Sequence, residues 1–242
     1  MTREPKTAAA AHPSIDPRAK IIDALMALAS ERRFEEIAIR DICEKAKVSL
    51  ADFRDAFPSK GAVLAGFTRR IDRAVLSQGE EEISREAPRE RLFDVLMRRL
   101  DAMAPYREAL REITAWLSRD PVAALAMNQS VVNSMRFMLE AAGIESEGVA
   151  GAIKLQGLAL AWARIVAVWL EDSEPGLSKT MAELDRELTR GERAVAGVER
   201  LDRLAAPLKA VARAILDQRS RAREAFRRRP RQADEPRDAD AF

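Results

Sequence analysis

Residues 38–57 read AIRDICEKAKVSLADFRDAF, and the spacing of apolar side chains within this stretch decides the fold of the first third of the chain. Ile42 and Ala46 are four residues apart, and so are Phe53 and Phe57, so each pair falls on one face of a helix. The residues between the pairs are too few for anything longer than a tight turn. The stretch therefore predicts a helix-turn-helix, whose second helix is anchored inward by its two phenylalanines and is free to present its other face.

The same three- and four-residue spacing continues through most of the chain, while the alternation typical of strands is missing. Ala, Leu, Arg and Glu dominate the composition and are strong helix formers. The fold class is therefore predicted to be all-α, with a helix of about 16 residues from Pro17 and further helices at about 39–46, 49–57, 59–78, 89–103, 106–117, 121–142, 147–170 and 177–195.

These helices divide into a helix-turn-helix domain over residues 16–78 and a larger helical domain over residues 79–196. Residues 1–15 are expected to be a disordered leader, residues 197–228 a basic C-terminal helix, and residues 229–242 a charged, disordered tail. Residues 200–242 carry 12 Lys and Arg against 7 Asp and Glu, whereas residues 71–199 carry 16 against 22. A polyanion is therefore expected to meet the ends of the chain rather than its middle.

Composition argues against several classes of function. Cys43 is the single cysteine and His12 the single histidine, so an intrachain disulfide, a Cys/His zinc cage and a Ser-His-Asp triad in the ordered part are all excluded. Without a nucleophile and base, a metal cluster or a glycine-rich phosphate loop, we expect neither enzymatic activity nor a cofactor. The start of the chain lacks the apolar core of a signal peptide, and a cytoplasmic protein is expected.

Three short motifs carry a family resemblance. Residues 39–42, residues 46–49 and residues 57–60 read IRDI, AKVS and FPSK, and Leu64 follows them. Together they resemble the N-terminal domain of TetR-family transcriptional regulators over about residues 21–75. The resemblance implies an operator-binding head, a C-terminal domain that holds a small apolar or amphipathic ligand, and a homodimer whose two-fold interface is built by helices 147–170 and 177–195. A ligand-responsive repressor is the function it implies.

The recognition helix departs from the usual family pattern. Ala38 stands in place of a capping threonine, and Lys47 in place of a turn glycine, where a positive φ would strain its backbone by about 1 kcal/mol. Asp52 repels phosphate but can accept a hydrogen bond from cytosine. The resemblance places Lys60 at a phosphate contact. A head that has lost DNA binding is the alternative, and the candidate DNA-contacting residues are Arg40, Lys47, Ser49, Leu50, Asp52, Arg54 and Lys60.

Large apolar residues of the second domain are candidates for lining a ligand cavity, because Met and Trp form adaptable apolar pockets. At helical spacing the same residues also read as plain core. Arg164 sits among apolar neighbours, where it would meet an acidic head group or pair with a nearby carboxylate. The candidate ligand residues are Trp116, Met135, Met138, Trp162, Arg164 and Trp169.

A second resemblance gives the alternative function. Residues 169–175, WLEDSEP, followed by Thr180 and Leu184, resemble the corresponding stretch of ubiquinone-biosynthesis accessory proteins, which share the TetR fold but bind lipid and a partner enzyme. As a plain corner, the stretch would be explained by Ser173 capping the next helix and Pro175 ending the previous one.

The basic C-terminal segment bears on the same choice. Its apolar side is formed by Leu208, Val211 and Ile215, and this pattern suits a helix lying on an anionic membrane. It equally suits a helix docked on its own protein, so a membrane partner belongs to the alternative function only.

Overall fold

A computed structural model describes residues 16–77 and 86–197, the side chain of Val149 excepted. The predicted disordered leader and most of the predicted basic helix and tail lie outside the described residues. The chain divides into two units, 1–193 and 194–242. Residues 194–197 of the second unit are described, and they are helical.

The described residues contain helices and connecting turns but no strand, which confirms the all-α prediction. The predicted helix ends differ from the observed ones by a turn or less. Two short 3-10 turns occupy Phe34–Glu36 and Ala104–Tyr106. The helices of the first unit are α1 (Pro17–Ala29), α2 (Ile39–Ala46), α3 (Leu50–Ala56), α4 (Lys60–Leu76), α5 (Pro88–Met103), α6 (Arg107–Arg119), α7 (Pro121–Ala141), α8 (Gly148–Glu171) and α9 (178–193).

Aspartates before prolines set two of the helix starts. The Asp16 carboxylate accepts a hydrogen bond from the Arg18 amide at 3.0 Å, and Pro17 follows it as the first helical residue. Asp120 caps α7 in the same way, with Pro121 after it. A carboxylate satisfies amides that have no partner inside the helix, and proline has no amide to leave unsatisfied.

Helices α1 to α4, residues 16–77, are called the head below, and residues 86–193 are called the body. Phe34, Phe53 and Phe57 are buried in the head and hold α3 against α1 and α4. Gly66 of α4 lies under the ring of Phe57, where an added Cβ would come within 2.8 Å of the ring. The head and the body share one continuous apolar core through the C-terminal half of α4.

One buried ion pair ties α4 to the body. The Arg99 guanidinium of α5 donates to Asp72 at 2.9 Å and to the Ser134 hydroxyl of α7 at 2.7 Å, and this hydroxyl donates to Asp72 at 2.7 Å. The guanidinium also lies 4.9 Å from the ring centroid of Trp162 in α8. Burial raises the pKa of Asp72 and lowers that of Arg99, while each charge partly offsets this effect on the other. Four helices therefore meet at a single charged centre.

The expectation that helix 147–170 is buried nearly all round is wrong. The side chains of Leu160 and Ile153 on α8 are 53% and 48% exposed. The reason is that α6 and α7 pack on one side of this helix and leave its outer face open. Residues 150–171 are long and apolar enough to cross a membrane, and 44% of their apolar window is buried within the chain.

Candidate nucleic-acid interface

The recognition helix α3 begins with a reciprocal cap. The Ser49 hydroxyl accepts a hydrogen bond from the Asp52 amide at 3.0 Å, while the Asp52 carboxylate accepts from the Ser49 amide at 2.9 Å and from its hydroxyl at 2.7 Å. These bonds, that of the hydroxyl first, lower the pKa of Asp52. The capping role predicted for Ser49 is confirmed, and Asp52 completes it. The start of α3 is thereby fixed, although the helix has only seven residues.

The turn before α3 takes its shape from Lys47, which ends α2 with φ 54° and ψ 47°. This is the left-handed region that favours glycine. The amides of Lys47 and Val48 nevertheless reach back to the last carbonyls of α2. At the other end of α2, Ala38 provides no side-chain cap, but its amide donates to the Asp41 carboxylate at 2.9 Å.

Three basic side chains surround the outer face of α3. Arg40, Lys47 and Arg54 are all exposed, and none of them forms an ion pair or side-chain hydrogen bond with another described residue. Leu50, at the start of α3, is 63% exposed. By contrast, Lys45 pairs with Glu31 at 3.0 Å. The outer face of the helix-turn-helix therefore offers positive charge that the described part of the chain does not neutralise.

Lys60 points inward rather than outward. Its ammonium donates to the carbonyls of Phe34 at 2.6 Å and Ile37 at 2.9 Å, and it lies 4.3 Å from the centroid of the Phe34 ring. Partial burial lowers the pKa of this lysine. In this arrangement, Lys60 braces the turn between α1 and α2 instead of presenting its charge to the surface.

The body holds the same turn from the opposite side. Glu112 of α6 accepts a hydrogen bond from the Phe34 amide at 3.2 Å, and Arg119 pairs with Glu35 at 3.0 Å. The ring of Trp116 lies on that of Phe34, with centroids 4.3 Å apart. Helix α6 therefore contacts the turn that leads directly into the helix-turn-helix, and Trp116, predicted as a ligand residue, belongs to this junction.

The other predicted ligand residues are divided between core and surface. Met135, Met138, Trp162 and Trp169 are buried in the body. Arg164 is exposed and pairs with Glu187 at 3.2 Å. A cleft of about 610 Å³ opens between α1 and the start of α6, but it contains none of the six predicted residues. It is lined by Asp23, Met26, Ala27, Ser30, Ala104, Pro105, Tyr106, Arg107, Glu108 and Ala109.

The corner between α8 and α9 has a structural explanation. Asp172, rather than the predicted Ser173, fixes the start of α9: its buried carboxylate accepts from the Thr180 amide at 2.9 Å and from the Thr180 hydroxyl at 2.8 Å. Asp172 is the better acceptor because its carboxylate is ionised, and the bond to the Thr180 amide contributes most to lowering its pKa. Arg107 of α6 donates to the Trp169 and Asp172 carbonyls and so caps the end of α8.

Two solved structures show the same arrangement of helices along most of their length. A TetR transcriptional regulator from Nitrosomonas europaea aligns with a TM-score of 0.57 and 21% identity, over 72% of this chain and 97% of the other. A TetR transcriptional regulator from Rhodococcus sp. RHA1 aligns with a TM-score of 0.56 and 21% identity, over 73% and 95%. The fold is that of TetR regulators. No family model and no curated protein matches the chain.

The TetR fold explains the position of the candidate interface and also what sequence reasoning missed. The head carries α3 at its surface, as the motif predicts. Arg99, Glu112 and Arg107 were not singled out, although each connects helices that are far apart in the chain. The one available signal for Arg99 was an arginine within the otherwise apolar stripe of α5. Glu112 and Arg107 carry no signal of their own in the sequence.

Proposed function

We propose that this protein is a DNA-binding transcriptional regulator of the TetR type, acting as a cytoplasmic homodimer and responding to a small ligand. The observation that carries the proposal is the exposed, capped recognition helix with Arg40, Lys47 and Arg54 around it, unpaired with any described residue. Phosphates supply the charge that these side chains lack, and α3 is placed to enter the major groove.

The recognition contacts follow from the placement of each side chain. Arg40 and Lys47 flank α3 and are assigned to phosphates, since neither lies on the helix itself. Leu50 and Arg54 lie on its exposed face and are assigned to base edges. One oxygen of the Asp52 carboxylate is used by the cap, and the other is available to a cytosine amino group.

Ligand response is proposed to act through the body core. Met135, Met138 and Trp162 lie near the Arg99 guanidinium, whose Nε has no described hydrogen-bond partner. An apolar ligand with one acceptor group would satisfy this donor as it separated α5, α7 and α8. Because α4 is tied to Arg99 through Asp72, and α6 grips the turn before α2, such a movement would reorient the head and weaken operator binding, as expected of a repressor.

The test is selection of bound sequences from random duplex DNA, followed by titration of the selected site at physiological salt. We expect a preference of at least about 10³-fold over random duplex. Arg40→Ala and Lys47→Ala should weaken binding to all sequences and reduce the slope of log K against log salt by about one unit for each lost phosphate contact. Arg54→Ala should instead change the selected sequence.

Lys60→Met provides the matched control, because its ammonium is committed to two carbonyls inside the head. It should lower the melting temperature of the head and leave the salt slope unchanged. A protein that shows no sequence preference, floats with anionic liposomes and releases isoprenoid lipid on extraction would refute the proposal and favour the lipid-binding accessory function.

A further inference from the structure

One surface of the body is apolar and almost free of charge. It is formed by the outer faces of α7 and α8, where Val122, Leu125, Ile153 and Leu160 are all exposed, Leu125 by 75%. Residues 121–139 contain a single charged residue, Arg136, in a chain in which 33% of residues are charged. Large apolar surfaces of this kind mark sites of association in soluble proteins.

The two helices are joined on this surface by neutral groups. Asn128 of α7 and Gln156 of α8 exchange amide hydrogen bonds in both directions, each at 3.3 Å. Gln156 is four residues from Leu160 and three from Ile153, and Asn128 is three residues from Leu125. The amide pair therefore lies in the middle of the apolar patch.

The side of α8 that faces α9 is different. Arg164 of α8 pairs with Glu187, which also pairs with Arg190, and Arg186 pairs with Glu183 at 2.9 Å. Eight of the fifteen residues from 179 to 193 are charged. Burying these groups in an interface would require removing water from several ions, whereas the core of a protein interface is depleted of charge.

We infer that the homodimer forms by apposition of α7 and α8 from each of two copies, with Leu125, Ile153, Gln156 and Leu160 at its centre. This inference rests on the proposed homodimer, and it replaces α9 with α7 in the pair of helices that the sequence resemblance implies. A second copy fits because the patch is neutral and thus self-compatible, and a two-fold axis places the same patch on both sides.

The size of the patch agrees with this occupant. Helices of 21 and 24 residues are about 31 and 36 Å long at 1.5 Å per residue. Lying side by side at a spacing of about 8 to 10 Å, they present a face on the order of 600 Å². A stable interface buries about 800 Å² on each partner, so the flanking side chains need to add little.

The test compares Leu125→Glu and Leu160→Glu with Met181→Glu, which places the same charge at an exposed apolar position of α9. Sedimentation equilibrium at micromolar concentration should give a dimer for the wild type and for Met181→Glu. The two leucine variants should be monomers, with a dissociation constant raised at least 100-fold and an unchanged helical circular dichroism spectrum. Dimeric leucine variants, or a monomeric Met181→Glu, would overturn the choice of α7 and α8. A monomeric wild type would overturn the dimer itself.

Cysteine crosslinking gives a second measurement that does not depend on the fold tolerating a glutamate. Gln156→Cys and Leu160→Cys should form a disulfide-linked dimer under mild oxidation, since the native Cys43 is buried in the head. Met181→Cys is the control and should remain largely monomeric on non-reducing gels. Efficient crosslinking at residue 181 and none at residues 156 and 160 would place α9 at the two-fold axis and refute the inference.

Discussion

At the scale of the residue, Lys47 holds the least favourable position in the head. Its backbone is left-handed, which costs a side chain with a Cβ about 1 kcal/mol. Glycine would adopt the same angles without this cost. The lysine that occupies the position is exposed next to the recognition helix, so the strain is explained if its charge is used at the DNA backbone.

Two substitutions separate the backbone effect from the effect of charge. Lys47→Gly and Lys47→Ala both remove the ammonium, but only glycine relieves the strain. Urea denaturation should find the glycine variant more stable than the alanine variant by about 1 kcal/mol. Both should lose the same affinity for operator. Equal stabilities would contradict the strain argument, and unequal affinities would indicate that Lys47 shapes the turn rather than contacting phosphate.

Sequence reasoning was most successful for residues whose roles are local. The cap by Ser49 and the inward orientation of Phe53 and Phe57 follow from spacing within one or two turns of helix. The inward orientation of Lys60 did not, because its partners are the carbonyls of a turn more than twenty residues away. Asp172 was missed in favour of the adjacent Ser173, since both can accept a bond and only the course of the chain through the corner decides between them.

At the scale of the element, α4 joins the two parts of the molecule. Its N-terminal end packs under the recognition helix, and its C-terminal half carries Asp72 into the body. The helices themselves could be predicted from periodicity, because each buries a stripe of its own. The contacts between them could not, since a pair such as Asp72 and Arg99 depends on the angle at which α4 and α5 cross.

The buried pair predicts an asymmetric response to mutation. Asp72→Ala leaves the Arg99 guanidinium, which is almost fully buried, without its counter-ion and should lower the free energy of unfolding by about 3 to 5 kcal/mol. Removing both charges with Asp72→Leu and Arg99→Met should restore most of that loss. Thermal denaturation of the single and double variants measures the difference. A double variant as unstable as Asp72→Ala would show that the packing around Ser134 and Trp162, rather than the isolated charge, determines the cost.

At the scale of the whole molecule, the same fold must position two recognition helices on one face of a duplex. A two-fold dimer binding two half-sites needs a separation of about 34 to 36 Å or a multiple of it. That separation is set by the helices at the dimer interface, which are far from α3 in the chain. The interface and the DNA contacts are therefore coupled through rigid packing of the body against the head.

Dissociating the dimer should consequently reduce operator affinity without altering any DNA contact. A monomer of Leu160→Glu must bind each half-site independently, so it loses the gain from linkage, which is on the order of 10²- to 10⁴-fold. Its affinity for a duplex with one half-site should equal that of the wild type, and its salt slope on the full operator should fall by about half, as each bound protomer neutralises half the phosphates. Fluorescence anisotropy with full-site and half-site duplexes measures both quantities, with Met181→Glu as the control that retains full affinity. Equal losses on the two duplexes would mean that residue 160 affects the head itself, and the coupling argued here would be wrong.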